Sequence, residues 1–192
     1  MSNDAVDGND TAILDREVRH WATALTADQR RAILRWQGRD RFYERVQAVM
    51  TLGIDDPEAV DAAGLLLAAA THKLQRSYTT WRGVRSSIDA YGLRSGELGQ
   101  LIGTSVRINR FVSVSLRREV VTDEFTVPEM SGGAVLSRMM LGAGTMVGWL
   151  ASVGRPDSRY QAEVLLRPGN MQRIVGVDTS GDIPTLVVEV AP

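Results

Sequence analysis

Cysteine is absent from all 192 residues, which excludes disulfides, thiolate metal sites and a cysteine nucleophile together. Histidine occurs only at His20 and His72, isolated from each other and from any paired ligand, so no metal is expected and no histidine triad can be drawn. A dominant charge is lacking too. With 22 basic and 23 acidic residues and a net charge of −1, no global field draws the chain onto DNA, RNA or an anionic membrane, though nucleic acid stays open as a substrate. The longest apolar run, from Ala62 to Ala70, is roughly half the length a membrane span needs and reads as a buried helix. No Pro/Ser/Gly-rich linker, repeat or low-complexity tract divides the chain. One domain over residues 11–192 is expected, behind a disordered acidic tail at 1–10 that has neither the basic nor the apolar segment of a secretory signal. The expected location is the cytoplasm, or a target cell reached by a non-classical route or with a phage.

What is present falls into two halves. Residues 11–25 carry Ile13, Leu14, Val18, Trp21, Ala22 and Leu25 at the spacing of an amphipathic helix. Thr26-Ala27-Asp28-Gln29 predicts a capping box at the start of a second helix, running to about Gln37 before Gly38. A third helix is expected over 40–50, and a fourth after the Asp56-Pro57 cap, ending near Leu74. From Ser77 onward the pattern turns to strands at 78–84, 109–115, 134–141, 146–150, 161–166, 171–177 and 185–190, with a short helix at 95–102. Helices at about 11–76 followed by a β-rich part at about 77–192 argue for an α+β fold. Gly142-Ala143-Gly144-Thr145 lacks the lysine of a P-loop and reads as a hairpin turn. The arginines at 30, 31, 35, 39, 41 and 45 read as a solvated helical face, the lesser alternative being a contribution to cofactor phosphate or acceptor binding.

The most informative stretch is Arg159-Tyr160-Gln161-Ala162-Glu163-Val164-Leu165-Leu166-Arg167-Pro168-Gly169. Read as one strand, it sends Gln161 and Glu163 to the same face, an amide and a carboxylate at the mouth of an apolar element. Taken alone, such a pair equally describes an edge strand with one wet face. The wider pattern separates the two. Trp81-Arg82-Gly83-Val84, Arg110-Phe111-Val112-Ser113-Val114-Ser115 and Gln161-Ala162-Glu163-Val164-Leu165-Leu166 resemble, in order, the Arg, Ser-Thr-Ser and Glu/Gln-x-Glu elements of the toxin-like mono-ADP-ribosyltransferases. Leu25-Thr26-Ala27-Asp28-Gln29 and its helix, through Gly38, Tyr43 and Val46, are similar to that family's opening helices. Leu166-Arg167-Pro168-Gly169 with Arg173-Ile174-Val175-Gly176-Val177 is similar to its closing hairpin. The resemblance spans roughly residues 25–190.

The resemblance implies N-terminal helices packed on a split, mixed or antiparallel two-sheet β core. It also implies an enzyme that takes NAD as substrate, cleaves the nicotinamide–ribose bond and transfers ADP-ribose to a macromolecule. Bond cleavage through a cationic ribose calls for a nearby carboxylate, the implied role of Glu163. Arg82 would fork onto the dinucleotide phosphates, Gly83 would hold the nicotinamide amide through its backbone, and Ser113 and Ser115 would complete the cofactor side, Ser113 also fixing Glu163. Tyr160 and Arg159 fall in the implied acceptor-recognition turn. Two departures stand out: Val114 replaces the usual Thr on the face opposite Ser113, and Gln161 replaces the Glu of arginine-modifying members. Gln at this position resembles members that modify an asparagine of small GTPases or a guanine of nucleic acid, which implies an acceptor other than arginine, and an amide can donate to and accept from either group. The competing class is a catalytically weak or inactive transferase-fold module that binds a nucleotide or a protein.

Overall fold

The computed structural model describes residues 4–192. The capping box forms as written: the Gln29 amide donates to the Thr26 hydroxyl at 3.2 Å and the Thr26 amide to the Gln29 side chain at 2.9 Å. It opens α3 (Ala27–Trp36). Asp56 caps α5 (Pro57–Ala69) through the Ala59 amide, after α4 (Phe42–Leu52). Because a side-chain cap satisfies an otherwise orphaned amide, Thr26→Ala is expected to destabilise the protein by about 1 kcal/mol. The shift in urea midpoint at unchanged slope measures it.

The first expected helix is two, α1 (Asp4–Glu17) and α2 (Arg19–Ala24), interrupted at Val18. The stretch expected as a disordered tail is corrected in part: Asp4 to Asp10 belong to α1, with Asp10 ion-paired to Arg76 at 2.9 Å, while residues 1–3 lie outside the described residues. Helix α5 ends at Ala69, short of Leu74, because His72–Lys73 becomes a strand, β1, and joins the sheet. His72 is not isolated in space. Its Nε2 meets the Glu17 carboxylate at 2.9 Å, where the Tyr78 hydroxyl and the Gln75 amide also donate.

The remaining strands are β2 (Tyr78–Val84), β3 (Ser105–Arg107), β4 (Val112–Ser115), β5 (Val135–Leu141), β6 (Met146–Trp149), β7 (Glu163–Leu166), β8 (Met171–Asp178) and β9 (Thr185–Ala191). Hydrogen bonds run through them in the order β1-β6-β7-β4-β2-β5-β9-β8-β3. All pairs are antiparallel except β5 with β9. The β4–β2 contact, however, is one bridge, Trp81 to Ser115. The sheet is therefore two half-sheets, four strands and five, joined at a single point, in agreement with the split core expected.

This topology corrects two turn assignments. Residues 142–145 connect β5 to β6, and residues 167–170 connect β7 to β8, and in both cases the joined strands lie in different half-sheets. Neither turn closes a hairpin. Glycine and proline signal a reversal of the chain, but the partner of a strand is chosen by which face must be buried, a non-local decision. Helices α3 to α5 cover the four-stranded half, where Ile33, Trp36, Phe42 and Leu66 pack with Phe111, Leu150 and Leu165. Short helices α6 (Ser87–Tyr91), α7 (Arg118–Phe125) and α8 (Leu150–Val153) and two 3-10 turns, Ser95–Leu101 and Pro156–Gln161, fill the connections. No helix among the described residues is long and apolar enough to cross a membrane.

Candidate active site

Where the half-sheets part at the Trp81–Ser115 bridge, a cleft of about 680 Å³ opens, walled by the ends of α3 and α4, by β2 and β4, and by the turn before β7. Its volume suits a drug-sized or dinucleotide ligand. Arg82, Gly83, Ser113, Ser115, Tyr160, Gln161 and Glu163 all line it; Arg159 does not.

Glu163 is the first residue of β7, set opposite Ser115 on β4. Its carboxylate is held from three sides. The Ser113 hydroxyl donates to Oε1 at 2.6 Å, the Trp36 indole N–H to Oε1 at 3.3 Å, and the Gln37 amide to Oε2 at 2.7 Å. A charged group fixed by several neutral donors is oriented before any ligand arrives, which is what electrostatic stabilisation of a transition state requires. Gln37 is itself held, because its Oε1 accepts from the Arg155 amide at 2.8 Å. That contact needs Gly154: a Cβ there would fall 2.1 Å from Gln37 Oε1 and 2.8 Å from the Leu150 carbonyl.

Arg82 follows Trp81 on β2 and donates through Nη1 to the Ser113 carbonyl at 3.0 Å. Burial, the leading influence, lowers its pKa from the usual arginine value, but a guanidinium stays charged near neutrality. No carboxylate among the described residues pairs with it. A partly buried cation without a carboxylate partner is able to receive an anion. Arg110 lines the same cleft and adds to the positive field.

The predicted relation of Gln161 to Glu163 is corrected. Gln161 is not in the strand; it ends the 3-10 turn Pro156–Gln161, and Ala162, left-handed at φ 44°, separates the two. That conformation costs a non-glycine residue about 1–2 kcal/mol. The Ala162 amide donates to the Arg159 carbonyl and its own carbonyl accepts from Leu116, each at 3.1 Å, which holds the kink in place. The two side chains thus reach one cleft through a backbone reversal rather than strand alternation. An alanine at positive φ leaves no mark in sequence. The Gln161 amide donates to Glu124 Oε2 on α7 at 3.1 Å.

A search of solved structures finds the same architecture in bacterial toxins. Plx2a, an ADP-ribosyltransferase toxin from Paenibacillus larvae, matches with a TM-score of 0.75 at 18% identity, covering 97% of this chain and 97% of that one. The ADP-ribosylating toxin BECa of a C. perfringens binary enterotoxin, solved with NADH, matches with a TM-score of 0.74 at 12% identity, over 96% of this chain and 48% of that one. Vis, an ADP-ribosyltransferase from Vibrio splendidus, matches with a TM-score of 0.66 at 17% identity, over 100% and 87%. The fold is that of the ADP-ribosyltransferase toxins. Neither a scan of protein-family models nor a search of curated proteins finds a match to the sequence.

On this toxin-type fold the eight residues singled out in the sequence separate. Arg82, Ser113 and Glu163 form one connected group through the Ser113 carbonyl and hydroxyl. Ser115 is engaged at both ends, donating to the Gln161 carbonyl at 2.6 Å and accepting from the Arg117 amide at 2.9 Å, so its hydroxyl braces the turn before β7. Gly83 has a packing reason of its own, since a Cβ there would lie 3.1 Å from the backbone and Cβ of Phe125. Tyr160 lies exposed at the cleft mouth, and Arg159 is exposed outside the cleft. Four of the six arginines around α3 and α4 are ion-paired locally, Arg31 with Asp28, Arg35 with Asp40, Arg41 with Glu44, and Arg45 with Asp56 and Glu58, while Arg30 donates to the Ala22 carbonyl and Arg39 lines the cleft near Asp157. Sequence reasoning leaves out Trp36, Gln37, Arg110 and Glu124. Gln37 and Glu163 are 126 positions apart, and nothing local at either end announces the pair.

Proposed function

We propose that the protein is an NAD-dependent mono-ADP-ribosyltransferase whose catalytic carboxylate is Glu163. The observation that carries this reading is the pairing, in one cleft, of a carboxylate fixed by Ser113, Gln37 and Trp36 with the unpaired guanidinium of Arg82. NAD matches that pair, carrying phosphate anions for Arg82 and a ribose that becomes cationic as its bond to nicotinamide breaks. In the reaction the ribose C1′–nitrogen bond breaks and neutral nicotinamide leaves with the electron pair. The acceptor's lone pair then forms the new bond to C1′, and its proton is lost to solvent. Glu163 faces the developing positive charge and is positioned to accept from the ribose 2′-hydroxyl. The backbone of Gly83 is assigned to the nicotinamide amide. Ser113 holds Glu163, and Ser115 holds the turn that delivers Gln161.

Gln161 is assigned to the acceptor. Its neutral amide favours a protein asparagine or a guanine in nucleic acid over arginine, and Tyr160 offers an exposed ring at the mouth for a planar group. Arg159, outside the cleft, is left to contacts with a large acceptor's surface. The test is incubation with labelled NAD and, separately, a guanine-containing oligonucleotide, an asparagine-bearing small GTPase and agmatine, the guanidine compound with which Vis has been solved. Label is expected on the GTPase or the oligonucleotide and not on agmatine. Label confined to agmatine would remove the assignment of Gln161 against arginine-type acceptors. Gln161→Ala is expected to lower labelled acceptor per NAD consumed by about 100-fold, the scale set by losing orientation of a reacting group.

A further inference from the structure

The carboxylate of Glu124 has no part in the chemistry above, yet its Oε2 lies 3.1 Å from the Nε2 of Gln161, which lines the cleft. We propose that Glu124 is a positioning residue that turns the Gln161 amide so that its carbonyl oxygen, not its NH₂ group, meets the incoming acceptor. The inference rests on the transferase reading above and extends it.

An amide side chain can be placed either way round, but a carboxylate only accepts hydrogen bonds, so Glu124 must face the NH₂ end. Tyr160 stands beside this pair. Its hydroxyl is placed so that Glu124, the first cause, raises its pKa while the Gln161 side chain lowers it. Gln161 thus has a local partner for its NH₂ end in Glu124. Its Oε1 accepts from no described residue and is left for a ligand.

The backbone beneath is pinned by the Ser115 hydroxyl on the Gln161 carbonyl and by the Ala162 kink, so only side-chain torsions remain to be set. Glu124 is itself held in place. It occupies the last turn of α7, whose next residue, Phe125, abuts Gly83 on the strand that carries Arg82, and Arg85 donates to the Glu124 carbonyl at 3.1 Å. A carboxylate in the last turn of a helix opposes the helix dipole, an unfavourable placement that this local role accounts for. The consequence for specificity is that the acceptor must approach with an N–H directed at the Gln161 carbonyl. A primary amide or an exocyclic amine meets that requirement. A group presenting only acceptor atoms does not.

The test compares wild type, Glu124→Ala, Gln161→Ala and the double variant. One readout is labelled acceptor per NAD consumed, with the oligonucleotide and the GTPase as probes; the other is the ¹⁵N-correlated side-chain amide signal of Gln161 in the free protein. Glu124→Ala is expected to lower the labelling ratio by about tenfold, the size of one hydrogen bond to a charged group. The double variant is expected to fall no further than Gln161→Ala alone, because Glu124 acts through Gln161. The Gln161 NH₂ signals should shift in Glu124→Ala. An unchanged ratio, multiplicative losses in the double variant, or unmoved amide signals would each overturn the proposal. Failure of the wild type to release nicotinamide would overturn the transferase reading instead, and the amide signals would still decide whether Glu124 orients Gln161.

Discussion

Glu163→Gln is expected to reduce NAD consumption by about 10²- to 10³-fold while NAD still binds. The substitution keeps the size of the side chain and a carbonyl that can accept from the Ser113 hydroxyl, but it removes the charge. If the carboxylate served mainly to brace the cleft, the isosteric amide would keep the Ser113 and Trp36 contacts on its carbonyl, lose only the one from Gln37, and retain much of the activity. If it stabilises a ribosyl cation, the loss appears in kcat, because the interaction strengthens only as positive charge develops. Titration calorimetry with NAD and a nicotinamide-release assay separate the two. Wild-type turnover in this variant would remove Glu163 from the chemistry.

Arg82→Ala has the complementary signature. The guanidinium has no carboxylate partner among the described residues, so its removal leaves no orphaned acid, and the loss falls on whichever anion occupies the cleft. Truncating one side of a desolvated charge pair costs about 3 kcal/mol, or roughly 100-fold in the Kd for NAD. Arg82→Lys is expected to recover only part, since an ammonium cannot reproduce the guanidinium fork or reach the Ser113 carbonyl in the same geometry. A binding isotherm unchanged by Arg82→Ala would mean that the phosphates sit elsewhere, with Arg110 as the next candidate.

Local chemistry was the legible part of this molecule. The Thr26–Gln29 box, the Asp56-Pro57 start and the β2 strand Tyr78–Val84 depend on neighbours a few positions away, and each forms where the sequence places it. The ordered motifs around Arg82, Ser113 and Glu163 carried the resemblance, and these three side chains do converge. What the sequence hid was non-local or conformational. Gln37 and Trp36 reach Glu163 only because α3 packs over the four-stranded half-sheet, a tertiary outcome. The run Ala162 to Leu166 looks continuous with Gln161 because alanine gives no warning of a left-handed backbone. The Gly and Pro-Gly turns were found correctly as reversals and wrongly as hairpins, since pairing across the split sheet is fixed by burial of whole faces. Glu124 carried one faint signal, an acid at a helix C-terminus, which only its contact with Gln161 makes meaningful.

The central claim is that Glu163, held by Ser113 and sharing one cleft with Arg82, stabilises the ribosyl cation as the nicotinamide–ribose bond of NAD breaks. Quantifying free nicotinamide after incubating the purified protein with NAD tests it most directly, with the Glu163→Gln protein run alongside. Steady release by the wild type, lost in the variant, is the predicted result. Release at equal rates from both proteins, or none from the wild type at saturating NAD, would contradict it.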